Sequence, residues 1–446
     1  MGKRLIMALA FVLAAGLTCS AYAEVQNVRV SGDINAWYQM RDLALTDAGK
    51  DQAFASIARV RVDADLTDNI SATVRLLNER YWGNETELPA RNGTDNITST
   101  EVSIDLAFVT VKEFLYSPLT VTVGRQDLRF GNAMIIGDPD TNNQATTASA
   151  FGGATRDPDL SARKAFDAIR ATLDYDPLRI DAIYSQVSEG TLTGHDDTTL
   201  YGINANYALD DKTTIEGYYF GKYIGRNNTA FVPNNKPDRV DVLGARIATM
   251  PIDNLTFQLE GAYQMGKRVN VASAINASRN AWAVETGAEY LFQDVKYTPS
   301  LAAGYAYFTG QKEDDTKHCR AWDPMYEDQK YGDIANALFD QSNIHVAVMS
   351  SSMKATEDIT LMASGYGFWW DKKFNSNDVV TSRRNNTLVM KPRKYAGTEL
   401  DLKAVYDYTE DVQFSLLSGI LWPGGSFSNA NDRTATEVIG SMKVIF

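Results

Sequence analysis

The sequence predicts an all-β fold: a transmembrane, antiparallel, up-and-down β-barrel of about 18 strands. Three observations predict it. Apolar and polar residues alternate with period two in stretch after stretch of the chain. The links between those stretches are short on one side and mostly long on the other. The last stretch, RTATEVIGSMKVIF, keeps alternating to its final residue, Phe446.

Taken in order, the chain opens on MGKRLIMALAFVLAAGLTCSAYA. Lys3 and Arg4 precede an apolar run from Leu5 to Thr18, and Ala21-Tyr22-Ala23 supplies a small-x-small site before Glu24. That pattern is a secretory signal peptide. The run is too short for a spanning helix, which needs roughly 20 residues. The expected organisation is a signal peptide over 1–23 and one barrel domain over 24–446. Candidate strands then lie near 27–40, 54–66, 70–82, 100–114, 119–129 and 163–174. They continue near 178–188, 197–208, 213–224, 238–249, 255–267 and 279–292. The last six lie near 299–310, 342–354, 359–370, 395–407, 411–422 and 433–446.

After every even-numbered strand the link is turn-like: LTDN, YSP, YDP, LDDK, MPIDN, FQDVKYT, TEDI and TEDV. After odd-numbered strands most links are longer and polar, the two longest near 130–162 and 311–341. An outer-membrane barrel has this asymmetry, with short periplasmic turns and long extracellular loops. An even strand count puts both termini on the short-turn side. The faces agree. In 255–267, Phe257, Leu259, Gly261, Tyr263 and Met265 oppose Thr256, Gln258, Glu260 and Gln264. A half-buried soluble sheet alternates too, but not with one-sided loops over the whole chain. Trp37, Trp82, Trp282, Trp369, Trp370 and Trp422 fall at one height, the outer strand ends, as an interfacial girdle requires.

A sheet in lipid must close, because an open edge leaves backbone groups unpaired. The strand ending at Phe446 is therefore expected to pair with NVRVSGDINAWYQM, and to serve as the signal read by the barrel-insertion machinery. Outer-membrane lipid and lipopolysaccharide are the expected surroundings.

Composition excludes other classes. The formal charge is −13, and it becomes more negative once Lys3 and Arg4 leave, which argues against a nucleic-acid partner. Cys19 leaves with the signal, so Cys319 cannot form an internal disulfide. His195, His318 and His345 are far apart, and no nucleophile–His–acid set accompanies them. The expectation is not an enzyme, with no cofactor and no metal. Asp138, Asp140, Asn142 and Asn143 have a spacing that could bind Ca²⁺, without the full loop signature.

Several segments carry a family resemblance. They are FASIARVRVDADLTDNISATVRLLNERYWGN, LTVTVGRQDLRFGNAMIIGD, ARKAFDAIRATLDYDPLRIDAIYSQVS and YAGTELDLKAVYDYTEDVQFSLLSGILWPGGSF. Together they resemble the alginate-export family of bacterial outer-membrane porins. GRQDLRFGNAMIIG is the most specific part, and Asp323-Pro324-Met325-Tyr326 sits where the family often has a similar turn. The resemblance implies an 18-stranded monomeric barrel with an electropositive constriction, in a family named for passing an acidic polysaccharide outward.

The lumen face sharpens that expectation. Strand parity turns Arg59, Arg61 and Asp63 inward, then Arg75, Asp105, Arg170 and Arg246, and the GRQDLRFG segment is expected to add Arg125 and Arg129. Fixed charge and a bidentate fork suit arginine to a wall that holds carboxylates. Glu260, Glu285, Glu289, Glu399, Asp401 and Glu437 are inward candidates on the later strands, opposed only by Lys403 and Lys443. The expected pore thus has an arginine-rich wall facing an acid-rich one. The alternative is that these residues are salt-bridged to stiffen the barrel. Arg125 shares parity with Val121 and Val123, so a bulge at Gly124 is expected to shift the register. The loop from Phe130 to Ala162 is the expected constriction.

The functional expectation is an outer-membrane channel for passive diffusion or export of small charged solutes or acidic saccharides. A small molecule or oligosaccharide is the permeant. A general or cation-selective porin, or a plugged structural or adhesive barrel, is the alternative.

Overall fold

The computed structural model describes residues 27–43, 45, 51–82, 102–137, 165–188, 195–226, 237–270, 275–312, 315, 317–383 and 387–446. The expected signal peptide and the Asp138–Asn143 cluster lie outside the described residues.

Eighteen long strands form one closed antiparallel barrel. The first six are β1 (Asn27–Asp42), β2 (Asp51–Thr67), β3 (Ile70–Tyr81), β4 (Ser103–Val111), β5 (Leu119–Gln126) and β6 (Phe166–Asp174). Then come β7 (Leu178–Ser188), β8 (His195–Asp210), β9 (Thr213–Arg226), β10 (Asp238–Ile252), β11 (Leu255–Asn270) and β12 (Ile275–Leu291). The last six are β13 (Ser300–Phe308), β14 (Ile344–Lys354), β15 (Ile359–Trp370), β16 (Tyr395–Asp407), β17 (Val412–Pro423) and β18 (Ala435–Ile445). Each strand pairs with the next, and the expected strands are all present with ends moved by a few residues.

Closure is made where the alternation required it. β18 pairs antiparallel with β1 from Asp33↔Ile445 to Asp42↔Thr436. Phe446 then exchanges both backbone hydrogen bonds with Gly32, at 2.7 and 3.0 Å. Its ring covers Gly32 so closely that a Cβ there would lie 2.6 Å from the ring and 2.4 Å from the Arg59 carbonyl oxygen. The terminal aromatic fits because Gly32 has no side chain.

The short turns have a local cause. Thr67, Thr356 and Thr409 each accept, on the side-chain hydroxyl, the backbone N–H three residues on. A threonine opening a four-residue link satisfies a donor that would otherwise face the interface. Near the same end lie Tyr406, Tyr408 and Phe414, in mutual ring contact. At the other end, Trp82, Trp282, Trp369 and Trp422 are exposed on the outer face. Phe414 and Trp422 sit on one strand; at about 3.3 Å per residue and a tilt near 40°, they are roughly 20 Å apart along the barrel axis. Two aromatic belts thus bracket an apolar band of bilayer dimensions.

The other two tryptophans correct the girdle reading. Trp37 and Trp370 are at the expected height but on lumen-facing parity, and both are buried. Trp37 packs in the wall cluster with Ala55, Ile57 and Leu77, and its indole N–H donates to Gln39. Trp370 caps the interior core.

Among the described residues, four short elements lie outside the eighteen wall strands. His318–Cys319 runs parallel to β12, Val379–Thr381 pairs with Thr387–Val389, and helix α1 spans Asp333–Leu338. The main core lies inside the barrel, where side chains of connecting segments meet inward residues of the strands.

Candidate pore constriction

Parity puts charge on the inner face, and register decides which charges meet. On the first strands, Asp33 lies opposite Arg59, and Arg61 opposite Arg75. Arg59 donates to Asp33 at 3.0 Å. The opposed arginines turn to separate acids. Arg61 forks onto Asp63 at 2.8 and 2.9 Å, and Arg75 donates to Asp105 at 2.5 Å. Asp105 reaches the lumen through a bulge: Arg75 pairs with Leu106 and Leu76 with Ile104, leaving Asp105 as the extra residue. Further round, Arg170 and Thr172 both donate to one oxygen of Asp181, and Arg179 approaches the other at 3.4 Å. Arg246 stands in register between Glu216 and Glu260, at 3.6 and 3.9 Å.

Two connections from the long-loop end fold into the barrel. In the first, residues 127–137, Phe130 packs on Phe220 under the Arg170 guanidinium, 5.2 and 5.4 Å between centres. Its backbone then crosses to the far wall. Gly131 N–H donates to Glu216 at 3.1 Å, Asn132 N–H to Glu260 at 3.4 Å, and the Asn132 amide to Glu285 at 3.2 Å. The second connection, 309–343, locks onto the first. Tyr326 N–H donates to the Ile135 carbonyl, Gly137 N–H to that of Tyr326, and Asp328 N–H to that of Ala133. Arg129 bonds Asp328 at 2.5 Å across the same seam.

Helix α1 belongs to this second loop and docks on β16. Ile334 and Ala335 N–H groups donate to Glu399 at 2.8 and 2.7 Å, and Asp333 N–H donates to Asp401 at 3.1 Å. These are free donors of the first turn, and a carboxylate is their natural acceptor. Gly332 precedes the helix with φ +77°. A Cβ there would lie 2.6 Å from the Glu399 carboxylate, so both backbone and space call for glycine. Higher in the loop, Asp323 accepts Lys222 at 2.7 Å and lies 3.5 Å from Arg279. Burial alone would raise its pKa. The two cations more than reverse that and hold the carboxyl well below the usual range. Glu327 is pushed up by burial, which Arg383 at 2.5 Å only partly offsets.

The placement corrects two expectations. The register runs through Gly124 without a slip: Phe108 opposes Gly124 and Ala107 opposes Arg125. Gly124 has φ +124°, yet Arg125 keeps the outward parity of Val123 and lies opposite Asp167, 3.4 Å away. It is neutralised within the wall, so no bulge is needed to spare lipid a bare charge. Most of the acid-rich wall is not an open face either, Glu289 alone of the expected acids being exposed. Glu216, Glu260, Glu285, Glu399 and Asp401 are spent on loop N–H and amide donors, and Glu437 on Arg41.

The inner constellation brings together Arg59, Arg61, Asp63, Arg75 and Asp105. Arg170 and Arg246 lie farther round the barrel, and Arg129 lies on the loop seam. The expected constriction loop does turn inward over residues 130–137; residues 138–164 lie outside the described set. The part played by 309–343 was missed, since a polar sequence with a six-residue helix has no periodic signal. Asp33, Arg41, Arg179 and Asp181 were also missed, although their strand parity marks them.

The family model described as alginate export matches residues 27–441. No curated relative matches the sequence. Among solved structures, the chain is similar to Acinetobacter baumannii OccAB2, with TM-score 0.58 and 10% identity over 96% of this chain and 99% of that one. It is similar to Pseudomonas aeruginosa OccK8 (OprE), with TM-score 0.56 and 10% identity over 95% and 99%. It is also similar to Pseudomonas aeruginosa OccK2 (OpdF) in complex with glucuronate, with TM-score 0.55 and 9% identity over 95% and 99%. At such identities the likeness is one of fold.

Proposed function

This chain belongs to the alginate-export family, and from that premise we propose that it is an outer-membrane channel passing small organic anions or acidic saccharides along an arginine-lined wall. The single observation that carries the reading is an asymmetry of exposure at two carboxylates, Asp105 and Asp181. Asp105 is 3% exposed where Arg59 and Arg75 are 23% and 22%; Asp181 is 4% exposed where Arg170 is 22%. At Asp105 and Asp181 the acid is buried and its arginines stay partly exposed, which supports a wall that offers a permeant positive charge. Such a wall favours anions. The in-folded loops take up Glu216, Glu260, Glu285, Glu399 and Asp401, while Arg59, Arg61 and Arg75 gather on the β1–β4 side. OccK2 was solved with glucuronate, and a uronate carboxylate suits a guanidinium fork.

A second reading, a porin of weak selectivity, draws on Asp33, Asp63 and Asp127, which stay partly exposed beside the same arginines.

The test is the reversal potential of the reconstituted protein in planar bilayers under a salt gradient, with oligomannuronate added at millimolar concentration. Anion preference with concentration-dependent block supports the proposal. Cation preference without block overturns it.

A further inference from the structure

Beside the in-folded loops, at the long-loop end, lies a cavity of about 770 Å³. It is formed by the links β13–β14, β15–β16 and β17–β18, apart from the arginine wall. Its floor is made by Phe339, Trp370, Phe374, Leu388, Met390 and Phe427. These rings hold one another in place: Phe339 stacks on Phe427 at 5.9 Å and meets Trp370 edge-on at 5.4 Å, and Trp370 meets Phe374 edge-on at 5.2 Å. The Trp370 indole N–H is already bonded to Ser426. The floor is apolar, its accessible surface supplied mainly by half-buried Phe374 and Val380 over the packed rings, and it offers no side-chain hydrogen bond.

The rim is charged, and its charges are unequally committed. Asp340 is paired with Arg383, Asp371 with Lys372 and the Gly310 N–H, and Asp378 accepts the Asn375 N–H. Gln311 and Asn343 are saturated by backbone groups. Lys312, Lys373 and Lys394 are exposed and make no ion pair among the described residues. A hydroxyl-rich sugar finds few partners here. An apolar ring bearing one anionic group finds both a floor and a counter-charge.

We propose that this cavity is a capture site for aromatic carboxylates at the mouth of the channel. The proposal rests on the anion-channel reading and names a substrate class for it. Bound at the mouth, such a carboxylate would be concentrated above the arginine wall before entering it.

The experiment is titration calorimetry on the folded, detergent-solubilised barrel with phenylacetate, benzyl alcohol and glucuronate. Phenylacetate is expected to bind saturably and at least ten-fold more tightly than either comparator. The double variant Lys373→Gln/Lys394→Gln, checked for native heat-modifiable mobility, is expected to lose about five-fold or more of that affinity. Phe374→Ala is a second variant, at a half-exposed floor position, and is expected to weaken phenylacetate without creating affinity for glucuronate. Equal binding of all three probes, no saturable binding, or phenylacetate binding indifferent to all these changes overturns the proposal. The reversal potential of the same preparation reads the channel proposal separately. Anion preference without phenylacetate binding removes the capture site alone, and binding without anion preference removes the channel reading on which its role depends.

Discussion

At the residue scale, the recurring device is an acid set behind an arginine. Arg59 and Arg75 share Asp105, and Arg170 and Arg179 share Asp181. Each guanidinium is oriented by its acid, and on the proposed reading it is this oriented fork that a permeant carboxylate meets. Arg59→Gln with Arg75→Gln should lower the anion-to-cation permeability ratio several-fold, read as a shift in reversal potential. Arg59→Lys should keep most of the selectivity, because charge is retained, and weaken oligosaccharide block, because the fork is lost. Asp323 makes a pH prediction. Its depressed pKa means its contribution is fully present above the ordinary carboxylate value of about 3.9 and fades only as pH falls below it. The part of the 309–343 loop's proteolytic resistance that is lost in Asp323→Asn should therefore be flat from pH 8 to about 5. Asp323→Asn should expose the loop already at pH 7, since it leaves the buried Lys222 charge without its carboxylate at a cost of about 3–5 kcal/mol, while Arg279 keeps Asp238 at 2.7 Å.

At the scale of elements, the in-folded loops are held by strand carboxylates acting on loop backbone. Glu399→Ala leaves the Ile334 and Ala335 N–H groups buried without an acceptor, at about 1–3 kcal/mol. Single-channel recordings of this variant should show larger and noisier conductance, while the barrel itself stays folded. Gly332→Ala should act the same way from the other side, through its φ of +77° and the crowding against Glu399. At the closing seam, Gly32→Val should displace the Phe446 ring and reduce the fraction of heat-modifiable, folded barrel. Phe446→Ala should leave the completed barrel nearly as stable and slow its assembly, which refolding kinetics into liposomes would separate.

At the scale of the whole molecule, the barrel wall and its contents answer to different physics. The wall was legible in the sequence, and the reason is local. Period-two alternation across residues such as Phe257, Leu259, Tyr263 and Met265 follows from one face meeting lipid, and the threonine-opened turns follow from nearby hydrogen bonding. Lipid then forces closure, so the strand ending at Phe446 had to meet the one containing Gly32. Alternation also marked Arg59, Arg61, Asp63, Arg75, Arg170, Glu399 and Asp401 as inward residues. It could not say what they would touch. Arg125 shows the limit: its charge argued for the lumen, and only the opposed Asp167 explains its place in the wall. Glu399 and Asp401 show it again, for they looked like half of a transverse field and instead hold a helix. Local pattern along the chain determined the eighteen strands, their faces, their order and the sealed seam. Tertiary structure alone decided which loops enter the lumen and which carboxylates they use up. Those contacts join residues far apart in sequence, such as Asn132 to Glu285, and such pairings leave no period in the sequence to read.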